Sequence, residues 1–248
     1  MNYKINNIQK EMQKEMQKEM QKVVYNDLGI IDYQKAWDFQ EELHKSIVDD
    51  KIASRNEGKK SDHENYMLFC EHPHVYTLGK SGEQQNLLVQ ENYLRSIGAA
   101  FYKINRGGDI TYHGPGQVVG YPIFDLEKFG LQVRSYIHTL EESIIRTLNE
   151  FGIHSQRLNG ATGVWLDVDK PKPRKICAIG VRISRYVTMH GFALNVNTDL
   201  SYFRHINPCG FIDKEVTSMR VESGKILDTN DIKKALRKNI NQVFHLAD

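Results

Sequence analysis

Residues 106–117 read RGGDITYHGPGQ, four glycines and a proline within twelve positions. Glycine admits backbone angles that other residues avoid and proline fixes one, so this stretch bends the chain closely around something. Strand-like runs flank it: AAFYKIN (Ala99 to Asn105) before and QVVGYPIFDL after. Because the stretch joins two strands and opens no helix, it implies no helix-dipole anion site. A phosphate loop would need G-x-x-x-x-G-K-[ST] and a dinucleotide turn G-x-G-x-x-G, and neither pattern occurs. The loop offers backbone N–H groups, one fixed cation (Arg106) and one titratable ring (His113). That composition is costly without a ligand, and binding is the expected role.

The rest of the chain supplies a scaffold of alternating strands and helices. Ala36, Phe39, Leu43 and Ile47 share one helical face between Asp32 and about Asp50. Ile137, Leu140, Ile144 and Leu148 mark a helix over Arg134 to Glu150, with Gly152 just past its end. A last helix is expected from about Asp231 to His245, and a short one at NYLRSIG. VVYNDLG, YMLFCEH, HVYTLGK, ATGVWLDV, KICAIGVRI and VTMHGFALNVN read as strands. No linker divides the chain, so residues 23–248 are expected to form a single α/β (α+β) domain with a mixed sheet. Residues 1–22 stand apart: EMQKEMQKEMQK repeats every four residues and reads as a solvated helical or frayed extension.

Composition narrows the function classes. With 40% hydrophobic and 26% charged residues the chain is an ordinary globular protein, and a net charge of +2 gives no argument for nucleic acid or membrane binding. No apolar run reaches the length of a membrane span and no signal-peptide pattern opens the chain, so a cytoplasmic location is expected. Cys70, Cys177 and Cys209 are too few and too irregularly spaced for a disulfide framework or a zinc site. The EHPH run, Glu71 to His74, reads as a strand-to-turn junction, not as a metal site.

Two candidates for chemistry remain. In KICAIG, alternation puts Lys175 and Cys177 on one strand face, and a lysine there can favour a thiolate. The apolar run around Cys177 argues instead for an inert packed thiol. In HINPCGF, Pro208 and Gly210 deny Cys209 a regular strand or helix, so it is a turn spacer or a nucleophile. A nucleophile needs an activator, and Lys175, His113, His190 and His205 are available. Pairing with histidine would point to protease-like or amidase-like chemistry, pairing with lysine to acyl transfer. The residues alone leave that choice open.

The motifs together resemble one family, the lipoyl(octanoyl) transferases. RGGDITYHGPGQ is similar to its signature loop, and KICAIGVRI, MHGFALNVNTDL, INPCG and EVTSM follow in the family's order from Val23 to the C-terminal helix. The resemblance implies the fold shared with biotin protein ligases and lipoate ligases. It implies that Cys209 accepts the acyl group and that Lys175 lowers its pKa. It implies a substrate wall built from Arg106, Gly107, Gly108, Asp109, Ile110, Thr111, Tyr112 and His113, from Ala178, Ile179 and Gly180, and from Gly191, Phe192 and Ala193. Cys177 departs from the family pattern, which has alanine or another small residue there. The implied reaction moves octanoyl from octanoyl-acyl carrier protein to a lysine of lipoyl domains, in 2-oxoacid dehydrogenase E2 subunits and the glycine cleavage H protein, without ATP, cofactor or metal. An ATP-dependent lipoate ligase of the same fold would need no cysteine, and a non-catalytic binding module would need neither Cys209 nor Lys175.

Overall fold

The computed structural model describes residues 20–207 and 214–247. Strands form at the β-branched and aromatic runs, and the long helices where apolar residues recur every three or four positions. In chain order they are β1 (Val23–Ile30), α1 (Tyr33–Asn56), β2 (Asn65–Glu71), β3 (Val75–Leu78), α2 (Glu91–Ser96), β4 (Ala100–Lys103), β5 (Ile110–His113) and β6 (Gln117–Ile123). Then come α3 (Val133–Glu150), β7 (Gln156–Leu158), β8 (Ala161–Leu166), β9 (Arg174–Ser184), β10 (Val187–Asn195), β11 (Glu215–Val216), α4 (Met219–Ser223) and α5 (Thr229–Phe244).

The main sheet runs β1-β2-β6-β10-β9-β8-β7. Its β1–β2 pair is parallel and the other neighbours on that path are antiparallel. β11 lies parallel to the start of β9, at Arg174 and Lys175, where β10 no longer pairs. A smaller sheet, β4-β3-β5, sits beside it. Helices cover both faces of the main sheet. Met67 and Phe69 of β2 pack with Leu140, Ile144, Leu236 and Ile240 of α3 and α5. Their neighbours Leu68 and Cys70 pack on the other face with Ala36 and Ile47 of α1. Burial on both faces is why these strands read as continuous apolar runs.

Three differences from the sequence reading have local causes. First, Ile110–His113 is strand, not connector: it pairs with β3 from Leu78↔Ile110 to Val75↔His113 and buries Ile110 and Tyr112. Two apolar positions between glycine pairs are too short a period to announce a strand. Second, α1 runs on to Asn56 because its buried stripe continues through Lys51, which is 4% exposed. Lys51 is held there by Asp125 and by the carbonyl of Arg185 at 3.0 Å, partners that no apolar pattern reveals. Third, Gln21 pairs in parallel with Leu246 and its carbonyl accepts from Ala247 N at 3.0 Å, so the described chain meets the C-terminal end just before β1 begins. The part of the EMQK repeat in residues 1–19 lies outside the described residues, as does Cys209. Among the described residues no helix is long and apolar enough to cross a membrane.

Candidate active site

Sheet register brings the separated motifs together. β9 and β10 align Ala178 with Ala193, Ile179 with Phe192 and Gly180 with Gly191. The glycine-rich loop is tied across the same strands by Gly107 N, which donates to Val181 O at 2.9 Å. Between loop and strands lies a cavity of about 360 Å³, the size of a small-molecule site. Lys175 and every wall residue expected from the sequence line it, except Gly107 and Tyr112. Gly107 serves the backbone tie just described. Tyr112 turns away into an aromatic cluster, stacked on Tyr202 at 5.0 Å with its hydroxyl 2.7 Å from His74 Nδ1.

Arg106 is 8% exposed at the wall. Its Nη2 donates to Thr77 O at 2.7 Å and to Thr77 Oγ1 at 3.0 Å, and its Nη1 to Gly107 O at 3.0 Å. Missing side chains make the space for it. A Cβ at Gly79 would stand 2.8 Å from Arg106 Nη1, and one at Gly180 would stand 3.2 Å from Arg106 Cδ and 2.9 Å from Gly107 O. The TLG and AIG glycines therefore leave room for the one buried Arg106 side chain.

His113 and His190 are neutral rings. Gln117 Nε2 donates to Tyr112 O and to Asn195 Oδ1, so Gln117 Oε1 is the acceptor that faces His113 Nδ1 at 2.8 Å. This assigns the His113 proton to Nδ1. Burial, then the neighbouring His72 and Arg106, push its pKa down to about 3. His190 Nε2 lies 3.0 Å from Asn105 Oδ1, while Asn105 Nδ2 donates to Glu41. Burial, then Arg106 and Arg182, hold His190 near 3 as well. An uncharged ring offers no cation to a thiolate. His205 sits off the cavity wall, 2.9 Å from the Tyr76 hydroxyl. Of the four activators considered, Lys175 is the one that combines an ordinarily cationic side chain with a place on the wall.

Lys175 and Cys177 do not share a face, and the reason is a bulge. Val164 faces Cys177 but Trp165 faces Lys175, so Ile176 has no counterpart on β8. An extra residue resets the alternation of a strand. Ile176 and Cys177 both enter the core beneath α3 and α5, fully buried, while Lys175 stands on the cavity wall with Ala178. Burial pushes the thiols of Cys177 and Cys70 well above the ordinary thiol range. Both described cysteines are packing residues, including the Cys177 that departs from the family pattern.

Several wall residues carry no local signal in the sequence. Tyr33 opens α1, Tyr121 sits in β6 and Trp165 in β8, and each reads as ordinary core. Phe203 and Lys214, on either side of residues 208–213, also line the cavity, and Asn207 N donates to Asn86 O at 2.8 Å. Among the described residues no cluster of three or more His, Cys, Asp or Glu could hold a metal ion.

With this geometry in hand, comparison with known proteins places the chain. The lipoyl protein ligase A/B catalytic domain matches residues 32–241. An octanoyltransferase of Christiangramia forsetii is 56% identical over 223 residues, 90% of this chain and 95% of that protein. In fold, the chain resembles the structure of an archaeal lipoylation system from Thermoplasma acidophilum, a bi-partite lipoate protein ligase and its E2 lipoyl domain (TM-score 0.66, 15% identity, covering 92% of this chain and 85% of that one). It also resembles a biotin protein ligase from Aquifex aeolicus (TM-score 0.51, 13% identity, 90% and 70% covered). The expected fold is thus the observed one, and the chain belongs to the lipoyl protein ligase A/B catalytic-domain family, on its lipoyl(octanoyl) transferase branch.

Proposed function

We propose that this chain is an octanoyltransferase that carries the acyl group on Cys209. In the first step the Cys209 thiolate attacks the thioester carbonyl of octanoyl-acyl carrier protein. The carrier's phosphopantetheine thiolate leaves and takes up a proton. In the second step the ε-amine of a lipoyl-domain lysine attacks the new thioester. An amide forms, the amine loses a proton and Cys209 leaves as thiolate. Donor and enzyme thioesters are nearly isoenergetic because both leaving groups are thiols of similar pKa, and the amide step runs downhill, so no ATP is needed. Lys175 favours the Cys209 thiolate as a nearby cation, gives its proton to the leaving phosphopantetheine thiolate and, so neutralised, takes up the proton lost by the amine. The wall formed by Arg106, Gly108 to Thr111 and His113, with Ala178 to Gly180 and Gly191 to Ala193, holds the octanoyl chain. Residues 23–248 form the catalytic unit, and the acceptors are E2 and H-protein lipoyl domains in the cytoplasm.

One observation supports this reading above the others. Lys175 lines a cavity walled by small residues, and the chain on both sides of the Cys209 stretch lines that same cavity. The test is a transfer assay with octanoyl-acyl carrier protein and a lipoyl domain, in the absence of nucleotide. The acceptor should gain one octanoyl group by mass, and free octanoate plus ATP should not replace the donor. Transfer that requires ATP would contradict the proposal.

A further inference from the structure

The bulge that turns Lys175 onto the cavity wall also gives it a partner. Trp165 is its cross-strand neighbour, and Lys175 Nζ lies 4.5 Å from the centre of the Trp165 ring. Lys214 Nζ lies 6.0 Å from the same ring. An ammonium group over an indole face is attracted by the ring quadrupole, more strongly when water is excluded. The ring itself is fixed. Trp165 is 2% exposed, and its Nε1 donates to Ala161 O at 3.0 Å. Two positions before it, Gly163 has φ +121°, and a Cβ there would stand 2.6 Å from Cys177 O and 3.6 Å from Lys175 Cε. The backbone of β8 is therefore shaped so that this indole, and no Gly163 side chain, meets the lysine.

We infer that Trp165 is a positioning residue for Lys175: its indole face holds the lysine amine at the cavity wall in the place that acyl transfer uses. The inference rests on the role given to Lys175 above. Trp165 acts through that amine. It also lines the cavity, so its positioning role is read from how far its effect on turnover depends on Lys175.

The experiment is a double-mutant cycle on the transfer rate, with Trp165→Leu, Trp165→Phe and Lys175→Met, and with folding checked by thermal melting. In the wild-type background Trp165→Leu should lower kcat about tenfold, through loss of the cation–π contact. Trp165→Phe, which keeps an aromatic face, should recover most of the rate. In the Lys175→Met background Trp165→Leu should cost nothing further. An equal cost of Trp165→Leu in both backgrounds would overturn the positioning role while leaving that of Lys175 intact. A Phe variant as slow as the Leu variant at equal stability would also overturn it. An unchanged rate for Lys175→Met would remove the lysine role and the inference with it.

Discussion

His113 and His190 show how burial sets the chemistry of single residues. Each folded ring titrates near 3, against about 6.5 for a free histidine. Between those values the unfolded chain binds the extra proton and the folded one does not. Stability is therefore complete above pH 6.5 and falls as the pH is lowered toward 3, by about 1.4 kcal/mol per pH unit for each ring. Urea unfolding at about pH 7 and about pH 5 checks this. His113→Gln should make the loss on acidification about 2 kcal/mol smaller than in the wild type. An unchanged loss would mean that the ring already carries a proton in the fold. The same burial explains why loop composition could point to Arg106 and His113 as wall residues but not to the neutral state of the His113 ring. That state follows from burial beside His72 and Arg106, and the ring's tautomer from Gln117 and Asn195, which arrive from other strands.

At the scale of elements, the long helices and most strands are legible in the sequence because each buries a stripe or face at its own period. The β8–β9 bulge is not legible. Simple alternation pairs Lys175 with Cys177, and only the cross-strand register shows that Ile176 is the inserted residue. Gly163 carries the cost of that shape, with φ +121° and no space for a Cβ beside Cys177 O. Gly163→Ala should destabilise the fold by about 2 kcal/mol or more. It should also reduce transfer beyond the loss of folded protein, since it disturbs the register facing Lys175. A variant with wild-type melting and transfer would show that the bulge relaxes freely. The Lys51 ion pair is likewise hidden, because a lysine on a helix face reads as solvated. Lys51→Met leaves the buried Asp125 carboxylate without its ammonium partner, and should cost about 3–5 kcal/mol in chemical denaturation. A cost below about 1 kcal/mol would mean that water replaces the lysine.

For the molecule as a whole, two sheets and two helical layers serve to bring four distant motifs to one cavity. The glycine-rich loop comes from between β4 and β6, the small-residue pairs from β9 and β10, Trp165 from β8, and Lys214 to Val216 from beyond residue 213. The order of the motifs along the chain identifies the family. Which residues share a wall emerges only from strand register, as Gly107 and Tyr112 illustrate by taking structural places beside the cavity. Acyl transfer by a covalent relay can be tested in one measurement, because the chain carries its own controls. Cys70 and Cys177 are buried thiols in the two core layers, whereas the proposed nucleophile is Cys209. The protein should be incubated with octanoyl-acyl carrier protein without ATP or acceptor, digested, and its cysteine peptides analysed by mass spectrometry. The account predicts a single octanoyl thioester on the Cys209 peptide, absent from Cys209→Ala. An adduct on Cys70 or Cys177, or acceptor octanoylation by Cys209→Ala at the wild-type rate, would contradict it.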